Sequence, residues 1–265
     1  MTQLFALKDC TAFVSGGAGH LGRAIVAALA DAGAHVIVNG RRRDKLDALV
    51  GELRGAGLSA EAMAFDVTDA AARDHAFAEI GVRFGGLHVL VNNAHAGRPG
   101  TIDSVTDEDF ANAHAVHVTA AFGLVKAARP LLAKAAAAAG QASVINVASM
   151  YGMVSPDPAV YGTSGFNNPP EYGAAKGGLL QLTRYLAVHL APERIRVNAI
   201  SPGPFPPESI ETQQPQFAAA LKGKVPLGRL GRPDDLKGVV LFLASGASGY
   251  VTGINLPVDG GWTAW

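Results

Sequence analysis

The sequence predicts an α/β protein with a doubly wound, mainly parallel sheet of seven strands and helices on both faces. Short β-rich runs alternate with longer stretches of helical periodicity along the chain. Such alternation is typical of a parallel sheet between two helical layers. A glycine-rich turn also follows the first run and opens a helical pattern, which is how a strand passes into a helix in folds of this class.

The individual elements follow from local pattern. The predicted strands are Thr11–Ser15, Ala34–Asn39, Ala60–Asp66, Leu87–Asn92, Ser143–Ala148, Arg196–Ile200 and Asn255–Val258. Apolar residues recur with helical spacing over Leu21–Ala32 and Gly173–Leu190, which predicts a helix in each. The alanine run Ala135–Ala139 predicts a helix that ends at Gly140. No internal repeat or linker is visible, so we predict one domain over residues 1–265.

Composition excludes several classes of protein. The 265 residues carry a formal net charge of 0 and only one cysteine, which gives no nucleic-acid footprint and fits a reducing compartment. No apolar run is long enough to span a membrane, and the first ten residues lack a signal-peptide pattern. The histidines show no zinc-ligand spacing. We therefore predict a cytoplasmic protein with no metal and no nucleic-acid or membrane partner.

The glycine-rich turn has the spacing of a phosphate-binding motif. Gly17, Gly19 and Gly22 fit G-x-G-x-x-G between a predicted strand and a predicted helix. This spacing gives a tight turn, close backbone approach to a pyrophosphate and a helix N-terminus aimed at it. We therefore predict dinucleotide binding rather than a purely structural turn.

The residues after the second strand indicate which dinucleotide binds. An NAD site usually offers an acidic residue there, but this chain has Asn39 and then the arginine run Arg41–Arg43. Cations beside the next helix, which we expect Asp44 to cap, are disfavoured unless an anion neutralises them. We predict NADP(H) as the preferred cofactor, bound by Arg41 first and Arg42 second, with NAD(H) possible.

Tyr172 and Lys176 form a second motif at the start of the helical pattern that ends at Leu190. Residues with this spacing share one helix face, so the ammonium would lie beside the phenol. A positive neighbour favours the phenolate and lowers the pKa of a tyrosine. The pair predicts an acid/base tyrosine, although a surface helix can show the same spacing by chance.

Several motifs in chain order resemble those of the short-chain dehydrogenase/reductase family over nearly the whole length. They are the glycine turn, Asp66-Val67, Asn92-Asn93-Ala94, Ser149, Tyr172-x-x-x-Lys176, Arg196-Val197-Asn198, Pro202-Gly203, Gly249-Tyr250-Val251-Thr252-Gly253 and Val258-Asp259-Gly260-Gly261. The resemblance implies a Rossmann-type fold and an NAD(P)-dependent oxidoreductase of alcohols and ketones. It also implies a homo-oligomer, either a dimer or a tetramer.

The resemblance implies roles for individual residues. Tyr172 would be the acid/base, Ser149 would hold the substrate oxygen, and Lys176 would bind the nicotinamide ribose and lower the pKa of the tyrosine. In reduction, Tyr172 protonates the developing alkoxide while Ser149 donates a hydrogen bond to it. The implied cofactor contacts are Ser15, Gly17, Gly19, His20, Leu21, Gly22, Asn39, Arg41, Arg42, Asp66, Val67, Asn92, Ala94, Tyr172, Lys176, Pro202, Gly203 and Phe205.

Four positions depart from the family pattern. His20 and His95 each stand where the family has glycine, and the threonine expected shortly after Gly203 is missing. His117 stands where the family carries the asparagine of its proton relay. It is either a packed core histidine or a catalytic residue that holds or relays a water behind Lys176.

The segment between Ser149 and Tyr172 is unusually long for a single-domain member, since the two are 23 positions apart. Both of its ends are tied to catalytic residues, so it must border the pocket. We predict that residues 150–171 and 202–217 form substrate-side loops. The polar candidates for substrate contact, which favour a sugar, sugar acid or polyol, are Tyr151, Tyr161, Asn167 and Asn168.

Two other classes of function stay open. The long Ser149–Tyr172 spacing is similar to nucleotide-sugar epimerases and dehydratases, which would retain bound NAD(P) and return the hydride. A catalytically silent dinucleotide sensor or scaffold is the other, because His117 departs from the family pattern. Retention of the serine, the tyrosine and Lys176 together favours the oxidoreductase. The apolar C-terminus, Trp262–Trp265, fits burial in a neighbouring subunit or on its own domain.

Overall fold

A seven-stranded parallel sheet forms the centre of the protein, whose computed structural model describes residues 2–265. The strand order is β3-β2-β1-β4-β5-β6-β7, and every neighbouring pair is parallel. The strands are β1 (Thr11–Val14), β2 (His35–Gly40), β3 (Ala60–Ala64), β4 (Val89–Asn92), β5 (Ala142–Val147), β6 (Ile195–Pro202) and β7 (Asn255–Val258). The predicted fold class and all seven strands are confirmed, with strand ends shifted by at most two residues.

Helices join and cover the strands. They are α1 (His20–Asp31), α2 (Arg43–Gly55), α3 (Ala70–Phe84), α4 (Asp107–His114), α5 (Ala120–Ala139), α6 (Pro158–Tyr161), α7 (Pro170–Leu190), α8 (Ile210–Gln213), α9 (Pro215–Lys224) and α10 (Lys237–Ala244). A π-helical turn, Ala115–Thr119, lies between α4 and α5. The predicted stop at Gly140 is confirmed, since this residue follows α5 in a left-handed conformation. No helix within residues 2–265 is long and apolar enough to cross a membrane.

The strands are buried on both faces, which explains their nearly continuous apolar sequences. Side chains alternate between the two faces of a strand. Ala12 and Val14 of β1 therefore join the core under α1 and α10, whereas Phe13 joins the core under α3 and α5. Because each face is covered, only the ends of the strands are free to build a site.

Two local expectations need correction or completion. Asp44 does not cap α2, because the helix already begins at Arg43. Its carboxylate instead lies in the first turn, where the helix dipole favours a negative charge, and accepts a hydrogen bond from Arg42 Nη2 at 3.0 Å. At the C-terminus, Trp262 packs within its own domain while Trp265 is 81% exposed.

The close packing of α1 on the glycine turn after β1 can be tested at Gly22. A Cβ on Gly22 would clash with the carbonyl oxygen of Gly16 and lie 2.9 Å from Gly17 Cα, whereas a Cβ on Gly51 of α2 would meet open space. We expect Gly22→Ala to lower the free energy of unfolding by about 1–3 kcal/mol. We expect the control Gly51→Ala to raise it by about 0.5–1 kcal/mol. Urea denaturation measures both, and equal stability of Gly22→Ala and wild type would contradict this packing.

Candidate active site

A cavity of about 890 Å³ lies at the carboxyl ends of the central strands. Its walls come from the segments that follow β1, β2, β4, β5 and β6. The sheet order reverses at β1, which pairs with both β2 and β4. Ligands of doubly wound sheets bind in the crevice at such a switch point, and the volume suits a dinucleotide.

The glycine turn shapes one end of this cavity to fit a pyrophosphate. Gly16 adopts a left-handed conformation with φ +62°, and a Cβ on Gly17 would lie 2.6 Å from Val38 Cγ1. The turn can therefore pack against β2 only without side chains. Helix α1 begins at His20 after Gly19, which provides no side-chain cap. The backbone N–H groups of its first turn are free to bind an anion.

Most of the predicted cofactor residues line this cavity. They are Gly19, His20, Leu21, Gly22, Asn39, Arg41, Arg42, Asp66, Val67, Ala94, Tyr172, Lys176, Pro202, Gly203 and Phe205.

Three predicted cofactor contacts lie behind the cavity wall. Gly17 supports the packing described above. Ser15 Oγ accepts a hydrogen bond from the backbone N–H of Asn93 at 2.9 Å. Asn92 Nδ2 donates to Asn146 Oδ1 at 2.8 Å. Ser15, Gly17 and Asn92 thus support the residues that line the cavity, and their predicted contact with the cofactor stays a prediction.

The arginines after β2 differ in how firmly the protein holds them. Arg42 pairs with Asp44 at 3.0 Å, and Arg43 forms an ion pair within α2 without lining the cavity. Arg41 has only a long contact of 3.9 Å with Asp66, and its side chain is 73% exposed. Arg41 is therefore the arginine of this run that is most available to an anionic group in the cavity.

The predicted catalytic residues meet where β5 approaches α7. Lys176 is buried, and its Nζ donates a hydrogen bond to the carbonyl oxygen of Val147 at 2.6 Å. Ser149 lies two residues after the end of β5. The next turn packs closely on α7, since a Cβ on Gly152 would lie 2.8 Å from the carbonyl carbon of Lys176. Ser149, Tyr172 and Lys176 all line the large cavity.

Burial controls the protonation of the tyrosine and the lysine. It raises the pKa of Tyr172, an effect partly offset by hydrogen bonding to the Ser149 side chain. It lowers the pKa of Lys176 to about 7. Burial thus shifts the tyrosine pKa in the direction opposite to the one expected from Lys176, whose Nζ lies 5.6 Å from the ring centre. Tyr172 is a protonated phenol at neutral pH and can donate a proton.

His117 lies behind Tyr172, in the π-helical turn. It is buried, its ring stands edge-on to that of Tyr172 at 5.6 Å, and its Nε2 is 3.1 Å from Nδ1 of His95. His117 also lines a small cavity of about 10 Å³ together with Lys176 and Asn92, which is close to the space that one water needs. The structure thus places His117 beside Tyr172 and Lys176, the predicted catalytic pair. Its own catalytic role stays a prediction.

His95 is a site residue that the sequence analysis did not select. Its ring stacks on His117 with centres 5.2 Å apart and meets Tyr172 edge-on at 5.5 Å. Burial, followed by the charge of Lys176, lowers the pKa of His117 to about 2. Partial loss of water and then Lys176 lower the pKa of His95 to about 4, although its side chain is exposed at the cavities. Both imidazoles are therefore neutral at pH 7. The available signal was the histidine in place of the family's glycine.

A second cavity of about 360 Å³ adjoins the first and shares His95, Ser149 and Tyr172 with it. Both segments predicted as substrate-side loops contribute to its walls. All four predicted substrate residues line it, namely Tyr151, Tyr161, Asn167 and Asn168.

The second cavity also has an aromatic wall that the sequence analysis missed. Phe217 of α9 stacks on Tyr161 at 5.7 Å and on Phe166 at 5.5 Å. The hydroxyl groups of Tyr151 and Tyr161 are hydrogen-bonded to each other at 2.6 Å. These rings come from segments far apart in the chain, so no local pattern marked them as one surface.

Fold and site together define an oxidoreductase that uses a nicotinamide dinucleotide. Residues 16–263 match a family model described as enoyl-(acyl carrier protein) reductase. The chain belongs to the short-chain dehydrogenase/reductase family. The predicted family, and the predicted action on CH–OH groups, are confirmed by these relationships.

Individual relatives cover almost the whole chain. An uncharacterized oxidoreductase of Mycobacterium tuberculosis is 36% identical over 98% of this chain and 95% of its own. The 2,5-dichloro-2,5-cyclohexadiene-1,4-diol dehydrogenase of Sphingobium indicum is 34% identical over 97% of each chain. A gluconate 5-dehydrogenase from Burkholderia cenocepacia, solved with NADP and tartrate, has a TM-score of 0.88 at 29% identity, over 100% of this chain and 99% of its own.

The buried neutral imidazole of His117 predicts a loss of stability in acid. The pKa of His117 falls from an ordinary 6.5 to about 2 in the folded protein. Below pH 6.5 the unfolded chain therefore binds a proton that the folded protein does not, and the free energy of unfolding falls with pH. The slope is about 1.4 kcal/mol per pH unit for each such proton.

We expect wild type to lose about 2–3 kcal/mol more than His117→Asn between pH 6.5 and 4.5, by that same slope. Urea denaturation at each pH measures the difference. His75→Asn, at an exposed position on α3, is the control and should keep the wild-type slope. Equal slopes for wild type and His117→Asn would show that His117 is not a buried neutral imidazole.

Proposed function

We propose that the protein is an NADP(H)-dependent oxidoreductase that interconverts a secondary alcohol and a ketone, with a sugar, sugar acid or polyol as substrate. One observation carries the reaction type. Ser149 and Tyr172 line both the dinucleotide-sized cavity and the smaller cavity beside it. A carbonyl bound in the smaller cavity would therefore meet both hydroxyl groups at the boundary with the cofactor.

The residues of this boundary supply the acid/base chemistry. Bound NADPH supplies the hydride for reduction, and NADP accepts it in oxidation. As negative charge develops on the substrate oxygen, the Ser149 hydroxyl donates a hydrogen bond to it. Tyr172 transfers its phenolic proton to the same oxygen, which gives the alcohol. In oxidation the tyrosinate accepts that proton, so this direction is favoured as the pH rises.

The preference for NADP rests on charge in the adenosine half of the large cavity. Arg41 lacks a close carboxylate partner, and the neighbouring Arg42 lines the same wall. Guanidinium groups bind phosphate through paired, charge-assisted hydrogen bonds. The structural neighbour from Burkholderia cenocepacia was solved with NADP, which supports the same cofactor here.

The substrate class rests on the smaller cavity. Its aromatic wall of Tyr161, Phe166 and Phe217 offers an apolar surface to a carbon skeleton. Polar side chains, among them Asn167 and Asn168, line the same cavity. Their amide groups can donate hydrogen bonds to substrate hydroxyl groups and accept them. A hydroxylated carbon chain or ring matches this mixture of surfaces.

We also propose a homo-oligomer and a cytoplasmic location. The oligomer is supported by apolar side chains exposed on α7, where Val188 is 73% accessible, and by Trp265, which is exposed at the C-terminus.

The single cysteine supports a reducing compartment. The chain covers 95% and 97% of two relatives that are named an oxidoreductase and a dehydrogenase. These names favour the oxidoreductase over the epimerase-like and sensor alternatives.

A panel of sugars, sugar acids, polyols and simple ketones, followed by nicotinamide absorbance, tests this function. We expect Tyr172→Phe to lower kcat/KM by about 100- to 10,000-fold, because the proton donor is lost, while NADPH binding is retained. Tyr185→Phe, at an exposed position on the same helix, should behave as wild type. A silent wild type that purifies with tightly bound cofactor would instead favour the epimerase-like alternative.

The cofactor preference has its own test. We expect Arg41→Ala to weaken NADPH binding by about 10- to 150-fold, the value of a charge-assisted hydrogen bond or two, and to leave NADH binding nearly unchanged. Arg43→Ala, which lies outside the cavity lining, is the matched control. Fluorescence titration gives both dissociation constants, and equal affinity of wild type for the two cofactors would refute the preference.

A further inference from the structure

The histidine pair beside the catalytic tyrosine has a fixed direction of hydrogen bonding. The backbone N–H of Ala96 donates to His117 Nε2 at 3.4 Å, so this nitrogen carries a lone pair. The contact of 3.1 Å between His117 Nε2 and His95 Nδ1 then requires that His95 Nδ1 carries the proton. In a neutral imidazole the other nitrogen, Nε2 of His95, is consequently an acceptor.

The buried end of the pair agrees with this assignment. With Nε2 as an acceptor, neutral His117 carries its proton on Nδ1, which is buried without a partner among residues 2–265. Asn92 Oδ1 is a buried acceptor that likewise lacks one, and both residues line the same small cavity. A donor and an acceptor are therefore left for a water between them. The opposite tautomer of His117 would leave two acceptors there.

The second nitrogen of His95, Nε2, is an acceptor at the smaller cavity. His95 lines both cavities at their junction, and within the described residues no group donates to its Nε2. Its pKa of about 4 keeps it neutral at physiological pH. The neighbouring Ser149 and Tyr172 donate hydrogen bonds to a carbonyl oxygen. His95 Nε2 is an acceptor, so it suits a substrate group that donates, such as a hydroxyl group.

We propose that His95 is a substrate-binding residue whose Nε2 accepts a hydrogen bond from a second hydroxyl group next to the reacting carbon, and that His117 is the positioning residue that fixes its tautomer. This inference rests on the proposed oxidoreductase function and narrows its substrate class. The preferred substrates are vicinal diols, and in reduction α-hydroxyketones, rather than isolated alcohols and ketones. His95 is exposed at the junction of the cavities. A mono-alcohol lacks the second hydroxyl group that would replace water on this acceptor, which penalises that substrate.

Matched pairs of alcohols test the inference. Cyclohexane-1,2-diol is compared with cyclohexanol, and butane-2,3-diol with butan-2-ol, each with NADP and with NAD. For wild type we expect kcat/KM to be at least about tenfold higher for the diol of each pair. His95→Phe keeps an aromatic ring but removes the acceptor, and should reduce this ratio towards one, mainly through a higher KM for the diol. His95→Gln restores an acceptor and should recover part of it.

Two further measurements separate the alternatives. His75→Phe, far from the cavities on α3, should keep the wild-type ratio. The dissociation constant of NADPH should be the same for wild type and His95→Phe. A weaker NADPH complex together with an unchanged diol ratio would make His95 a cofactor contact and overturn the inference.

The remaining outcomes distinguish this inference from the function on which it rests. Turnover of both alcohols with the same ratio in wild type and His95→Phe would overturn the role of His95 and leave the oxidoreductase function intact. No turnover of any alcohol or ketone with either cofactor would overturn the proposed function, and the inference with it.

Discussion

The active site depends on one buried ammonium group, that of Lys176. Burial disfavours its charge strongly enough to lower its pKa to about 7, and the carbonyl oxygen of Val147 is its hydrogen-bond partner in the protein. This bond ties α7 to the end of β5. The close approach of Gly152 to the backbone of α7 completes the junction, so the position of Ser149 relative to Tyr172 follows from the packing of a strand end on a helix.

His95 and His117, which both depart from the family pattern, depend on each other for hydrogen bonding. A buried imidazole in the π-helical turn needs partners for both nitrogens, and His95 provides one of them for His117. In return, His117 fixes which nitrogen of His95 faces the cavities. Both rings also contact Tyr172 edge-on, so they support the phenol sterically. The hydrogen bond between His95 and His117 thus gives buried His117 a partner and also orients a side chain that lines the smaller cavity.

The two cavities are built from different kinds of structure. The large one lies among strand ends and the N-terminus of α1. The smaller one is closed by segments 150–171 and 202–217, whose aromatic residues meet across the cavity. Loops can vary without disturbing the sheet, which explains how relatives named for diols, gluconate and acyl carrier protein substrates share one fold.

The sequence by itself determined the strands and helices and the motifs formed by residues close together in the chain. Short apolar, β-rich runs predicted all seven strands, and helical spacing predicted α7. The glycine turn and the Tyr172–Lys176 pair lie where they were expected. These features are local, because a strand, a helix or a turn is specified by neighbouring residues.

Only the tertiary structure decided which groups are buried together. Ser15 and Asn92 lie behind the cavity wall, and His95 contacts His117. Burial raises the pKa of Tyr172. The tertiary structure also assembled the aromatic wall from Phe166 and Phe217, which lie on different segments. Such contacts join residues far apart in the chain, and the loss of water that sets a pKa depends on the whole surrounding fold, so no local spacing encodes them.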